Sequence, residues 1–276
     1  METLLTYFAV PFCTPFFLRC GITGKDLHKR DKPLLPEAMG LVAGVILLLF
    51  IQPSPIWWCT LVGLWIGALD DVIDLRWRYK LIMSAIAYIP IYLTTDLATA
   101  GPFYHVYMLL WCVWCGNAIN IHAGINGLEV GQSVVIALGL LPIVDETSVL
   151  TSYICVAFGL LVYNWYPASV FVGDSWCYMS GMFFVAIAQH ETESLAIIMI
   201  PQIINTLLSV PELIGDCPRH RMPNYDAEKD CLVASGRGTL MNVILHLTGP
   251  MHEKTLAIVL LGVQFLCVLV AYQYKS

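Results

Sequence analysis

Apolar and polar stretches alternate along this chain at the pace of a bundle of hydrophobic helices. The apolar segments fall near 3–18, 39–52, 56–70, 81–95, 103–117, 131–144, 148–164, 171–189, 194–214 and 255–273. They predict ten helices, several of them shorter than the ~20 residues a helix perpendicular to a bilayer needs. Gln52-Pro53-Ser54-Pro55 reads as a tight turn, so the runs on either side count as two helices. The segment 215–252 is too polar to span and reads as a loop. The expected fold class is all-α: a polytopic membrane protein of about ten transmembrane helices, built as a single domain over residues 1–276.

Charge supports that count. When the polar segments are assigned alternately to two sides of a bilayer, thirteen of the fourteen Lys and Arg residues fall on one side and Lys275 alone on the other. A wrong span count would mix the two sets, so the basic side is expected to be cytosolic. Composition agrees, with 58% of the 276 residues hydrophobic and 12% charged, where a soluble domain carries about 25% charged. No basic stripe runs along the chain, which argues against nucleic acid as a partner. Cys112 and Cys115 form a CxxC inside an apolar run, where they read as small packing residues and not as half of a zinc site.

Every polar-rich motif lies on the basic side. In chain order they are GKDLHKRDKPLLPEAMG, with Lys25, Asp26, Lys32 and Glu37; DDVIDLRWRYK, with Asp70, Asp71, Asp74, Trp77 and Lys80; GNAINIHAGINGLEVG, with Asn117, Asn120, Asn126 and Glu129; NWYPASVFVGDSW, with Asn164 and Asp174; and CPRHRMP, with Arg219, His220 and Arg221. A nucleotide-sugar transporter, the alternative of a different class, would place ionisable groups near the bilayer midplane. Here they gather at helix ends facing one aqueous compartment, which predicts a site built from several cytosolic loops. Adjacent carboxylates at the end of an apolar helix are costly unless they meet a metal or cations. Asp70 and Asp74 share a face if that helix continues, with Asp71 turned about 100° away. Asn120 and Asp174 offer hard oxygens suited to Mg²⁺. Lys80, Arg219 and Arg221 supply positive charge for phosphate oxygens. Together these groups favour phosphoryl-transfer chemistry, where positioning and charge neutralisation dominate. Blander readings stand beside this one: the basic stretch 25–32 as a membrane-surface anchor, Asn117 and Asn120 as interhelical hydrogen-bonding residues, and His28, His105, His190, His246 and His252 as structural or surface residues.

The motifs LPEAMG, LDDVIDLRWRYK, NAINIHAGINGLEVGQ, NWYPASVFVGDSWCY, PQIINTLLSVPEL, CPRHRMP and LTGPMHEK together resemble the polyprenyl-phosphate N-acetylhexosamine-1-phosphate transferase superfamily, from about Pro11 to the C-terminus. The PRHR element is similar to the eukaryotic GlcNAc branch. The resemblance implies a ten-helix fold in the endoplasmic reticulum membrane, Mg²⁺ dependence, often a homodimer, and sensitivity to tunicamycin. It implies transfer of GlcNAc-1-phosphate from UDP-GlcNAc to dolichyl phosphate, with a bacterial-type relative using another donor or acceptor as the near alternative. By resemblance, Asp174 and Asn120 hold the metal on the pyrophosphate, and Asp70, Asp71 and Lys80 lie where lipid phosphate and pyrophosphate meet. Asn126 reads uracil, and Glu37 and Trp77 line the donor pocket. Asp74 and Asn117 are further substrate-binding candidates, and Arg219, His220 and Arg221 cover the sugar and pyrophosphate. His122 stands where the usual NILAGINGLE pattern has an aliphatic residue, beside the expected metal site.

Overall fold

The computed structural model describes residues 1–73, 75–94, 97–214 and 222–275, and the side chains of 77, 97–100 and 212–214 lie outside that description. Of the expected site residues, Asp74, Arg219, His220, Arg221 and the Trp77 side chain therefore fall outside the described residues.

Each expected span coincides with a helix or with two helices in succession. These are α1 (Glu2–Cys20), α2 (Met39–Phe50), α3 (Pro55–Ile73), α4 (Trp77–Ile86) with α5 (Tyr88–Thr94), α6 (Leu97–Ile121), α7 (Leu128–Leu140), α8 (Thr147–Asn164), α9 (Gly173–Ile187), α10 (Thr192–Ile198) with α11 (Ile200–Ile214), and α13 (Glu253–Lys275). Among the described residues, α1, α3, α8 and α13 are each long and apolar enough to cross a membrane, and α10 with α11, bent by 70°, makes a fifth if the pair is one span. Large apolar side chains stand outward on these helices, such as Phe12 and Phe16 on α1, Trp65 on α3 and Phe265 on α13. Water would not tolerate so continuous an apolar surface, and lipid would.

The breaks have local causes. Pro90 and Pro201 lack the N–H that would bond the carbonyl four residues back, and each lies in the first turn of the helix that follows a break. In α6 the chain leaves helical geometry at Gly101 (φ 67°), just before Pro102.

The all-α expectation is corrected in two loops. Strands β1 (Thr23–Lys25) and β2 (Leu34–Pro36) pair antiparallel, with Gly24 opposite Leu35. Strands β3 (Asn224–Asp226) and β4 (Cys231–Val233) do the same, with Tyr225 opposite Leu232. The segment expected to be a plain loop thus holds a hairpin, followed by a short helix, α12 (Leu240–Thr248), capped by the Thr239 side chain on Asn242 N. Its apolar residues Leu232, Met241 and Leu245 join Ile125, Leu128, Leu256 and Leu260 in a small core of their own, which seats the segment against α7 and α13.

The centre of the molecule is α9. Every residue from Ser175 to Ile187 is buried, so this helix meets neighbours on all sides, chiefly α3, then α6 and α2. Glycines let the backbones approach. A methyl group at Gly67 on α3 would overlap the α9 backbone, 2.5 Å from the carbonyl carbon of Asp174. This close packing of α3 on the start of α9 brings two of the sequence motifs together.

Candidate active site

A cavity of about 1190 Å³ opens at the ends of α3 and α6 and the starts of α4 and α9, beside the turn between β1 and β2. Glu37, Asp70, Asp71, Lys80, Asn117, Asn120, Asn126 and Asp174 all line it. Motifs separated by up to 137 positions therefore converge on one space, as the helix-end clustering predicts.

Asp70 and Asp71 are adjacent in sequence but do different work. Asp70 is 6% exposed. One of its oxygens accepts from Leu75 N at 2.7 Å, and the other pairs with Lys80 Nζ. Lys80 also reaches Asp174 Oδ2 at 3.3 Å, so a single ammonium bridges two carboxylates from different helices. Asp71 turns the other way and caps α9. Its oxygens accept from Asp174 N at 2.6 Å and Ser175 N at 3.0 Å, two of the orphan N–H groups that every helix start leaves. Gly173 makes room for this: it takes the left-handed φ of 72°, and a side chain there would collide with the Asp71 carboxylate at 2.6 Å.

Asp174 accepts from Asn120 Nδ2 at 2.8 Å and keeps 27% of its side chain exposed, so it is reachable from the cavity. Asn117 is a brace. It donates to Val113 O at 2.8 Å and Ser84 Oγ at 3.3 Å and accepts from Tyr178 OH at 2.8 Å, which ties α4, α6 and α9 together. The Asn126 amide is likewise occupied, donating to Asp26 Oδ2 at 3.3 Å and accepting from Ala168 N at 2.9 Å. It shapes the cavity wall. Glu37 lies in the wall beside Gly24, and burial pushes its carboxyl above the usual range. His122 is buried, and loss of solvation lowers it to about 4, so the imidazole is neutral at physiological pH and adds no charge beside Asn120.

The donor set can be tested for a metal. Among the described residues no three His, Cys, Asp or Glu side chains close on one point. Asp174 with Asn120 supplies hard oxygen chemistry, which fits Mg²⁺, an ion held by one or two carboxylates with substrate phosphates and water completing its shell.

Sequence reasoning named Asp26 and Glu129 among the polar motifs without giving them a role. His28, read as structural, lines the cavity, as do Asp26 and Glu129. Glu129 precedes the apolar stretch 131–144 and accepts from Gly124 N at 2.8 Å. Burial pushes it from its ordinary 4.5 to about 7. In that interval the folded chain holds a proton that the unfolded chain has released, so this contribution to stability is present below about 4.5 and lost as pH rises to about 7. Glu129→Gln keeps an acceptor for Gly124 and removes the titration. Its melting temperature relative to wild type is expected to climb between roughly pH 5 and pH 8. A constant difference across that range would show that Glu129 does not titrate there.

A family model described as Glycosyl transferase family 4 matches residues 54–190, the stretch that carries Asp70, Asp71, Lys80, Asn120, Asn126 and Asp174. Together with the relatives below, this match gives the class, a glycosyltransferase. The UDP-N-acetylglucosamine–dolichyl-phosphate N-acetylglucosaminephosphotransferase of Dictyostelium discoideum is 34% identical over 98% of this chain and 85% of the relative. Proteins of the same name from Schizosaccharomyces pombe and Saccharomyces cerevisiae are 29% and 31% identical, over 93% and 86% of this chain and 85% and 71% of the relatives. The chain belongs to the family of UDP-N-acetylglucosamine–dolichyl-phosphate N-acetylglucosaminephosphotransferases.

Proposed function

We propose that this chain transfers GlcNAc-1-phosphate from UDP-GlcNAc to dolichyl phosphate, giving GlcNAc-PP-dolichol and UMP, the first step in building the N-glycan precursor. One observation carries the reading: Asp70, Lys80, Asn120 and Asp174 meet in a single cavity, in a chain related over most of its length to enzymes named for that activity. A lipid phosphate oxygen attacks the β-phosphorus, forming the new P–O bond as the bond to UMP breaks. A phosphate monoester has a second pKa of about 6 and arrives mostly as the dianion, so no strong base is needed. The barrier lies in bringing two anions together. Lys80 counters that charge, Asp70 aims Lys80, and Asp71 fixes the start of α9 on which Asp174 stands. Asp174 and Asn120 would hold Mg²⁺, which when bound supplies charge neutralisation at the pyrophosphate. Glu37, Asn117 and Asn126 shape the donor side. Asp74, Trp77, Arg219, His220 and Arg221 are assigned to substrate by the resemblance. Purified protein given UDP-GlcNAc, dolichyl phosphate and Mg²⁺ is expected to release UMP and lipid-linked GlcNAc in equal amounts. Hydrolysis without lipid product would overturn the assignment. Tunicamycin is expected to block the reaction.

The same proposal places the chain in the endoplasmic reticulum membrane as a ten-span protein and a homodimer, a single catalytic domain with its cavity facing the cytosol. The thirteen-to-one division of Lys and Arg supports that orientation. Cysteines introduced at the exposed positions Asp31, Arg78 and Lys229 should react with an impermeant thiol reagent from the cytosolic side only. Labelling of any one from the lumen would break the span count.

A further inference from the structure

Beyond the phosphate end of the cavity, a buried knot of charged groups ties three distant parts of the chain to one loop. Glu253, the first residue of α13, is 3% exposed. Its Oε1 accepts from the backbone N–H of Asn126 at 2.8 Å, and its Oε2 pairs with Lys29 Nζ. Lys29 also pairs with Asp26 Oδ2 at 3.3 Å, and its ammonium stands 4.3 Å above the Tyr166 ring. His28 Nδ1 lies 3.8 Å from Glu253 Oε1. Asp26 in turn accepts from the Asn126 side chain, so the two carboxylates grip Asn126 by its backbone and its amide at once.

This grip is made of polar and charged groups, and it is costly to leave half made, because each buried carboxylate would lose its partner. It does fix the loop 124–127 that forms the cavity wall. Gly124 (φ 120°) and Gly127 (φ 81°) give that loop backbone freedom at both ends, and Asn126 between them is where it is pinned.

We infer that Glu253 is a positioning residue for the donor nucleotide: through Asn126 it holds the loop 124–127 in the shape the nucleotide meets. The inference rests on the reading that this end of the cavity takes the nucleotide of the donor. It also gives the knot a specific part to play, since Asp26 and Lys29 hold Glu253 and Asn126 from the turn between β1 and β2.

The test is calorimetric titration of the purified protein with UDP, alongside its melting temperature. Glu253→Ala is expected to weaken UDP binding about tenfold, the scale of one lost partner at a buried polar group. Glu253→Gln, which keeps an oxygen for the Asn126 N–H, should retain the larger part of the affinity. Should Glu253→Ala fail to fold, Asp26→Asn, which loosens the grip on the Asn126 amide, is expected to weaken UDP binding as well. A purely structural role would lower the melting temperature and leave the affinity of the folded protein at the wild-type value, and that result overturns the inference while the nucleotide reading stands. Absence of UDP binding by the wild type overturns the nucleotide reading and the inference with it.

Discussion

Asp174→Asn should reduce turnover of UDP-GlcNAc by at least ~10²-fold, the scale of removing one preorganised charge contact at a transition state. Asp174 is the carboxylate of the Lys80 bridge that remains open to the cavity, while Asp70 is closed off by Leu75 and Lys80. The substitution keeps an oxygen for Asn120 Nδ2 and leaves Lys80 paired with Asp70, so no buried charge is orphaned. Folding should therefore survive, with a melting temperature close to wild type. Steady-state kcat in the UMP-release assay decides the matter, and wild-type turnover in the variant would remove Asp174 from the site.

Gly67→Ala should be almost as damaging, by a different route. The new methyl group would overlap the backbone of Asp174 and Ser175, atoms that cannot swing aside as the end of a side chain could. Helices α3 and α9 must separate, and overpacking of this kind typically costs about 1–3 kcal/mol. The separation falls at the point where Asp71 caps α9 and Asp70 aims Lys80 toward Asp174. A misplacement of about 1 Å at a reacting centre can cost ~10²-fold in rate. A lowered melting temperature together with a large fall in kcat is the expected pair of results. Unchanged activity at full stability would mean that the two helices are not packed this closely.

That Asp70, Lys80, Asn120 and Asp174 would gather was legible in the sequence, because carboxylates and amides in an apolar chain stand out and need a reason to be there. Asp70, Lys80, Asn120 and Asp174 each sit at the end of an apolar run, and chain geometry left them few places to go. What the pattern could not reveal was how the adjacent pair divides its tasks. Asp71 caps a helix that begins 102 residues later, and no local spacing announces that. The knot around Asn126 was hidden for a related reason. Lys29 looks like a surface anchor and His28 like an ordinary loop histidine until the fold sets Glu253 beside them. Three-residue strands are too short for alternation to register, so both hairpins escaped. The helix breaks were half visible: the prolines are plain in the sequence, but the 70° turn between α10 and α11 depends on what those helices pack against.

The enclosure of α9 also bears on how the protein is made. Its main neighbours, α2, α3 and α6, all precede it in the chain, so they have left the ribosome before it does. Synthesis delivers roughly 5–20 residues each second. The slot for α9 can thus stand ready when it emerges, and the pairing of Asp71 with its first turn can form while later helices are still being added. Glu253 stands on α13, which follows α9 in the chain. The carboxylate cluster around Lys80 can therefore take shape before α13 exists, whereas the loop around Asn126 gains its restraint only once α13 has been made.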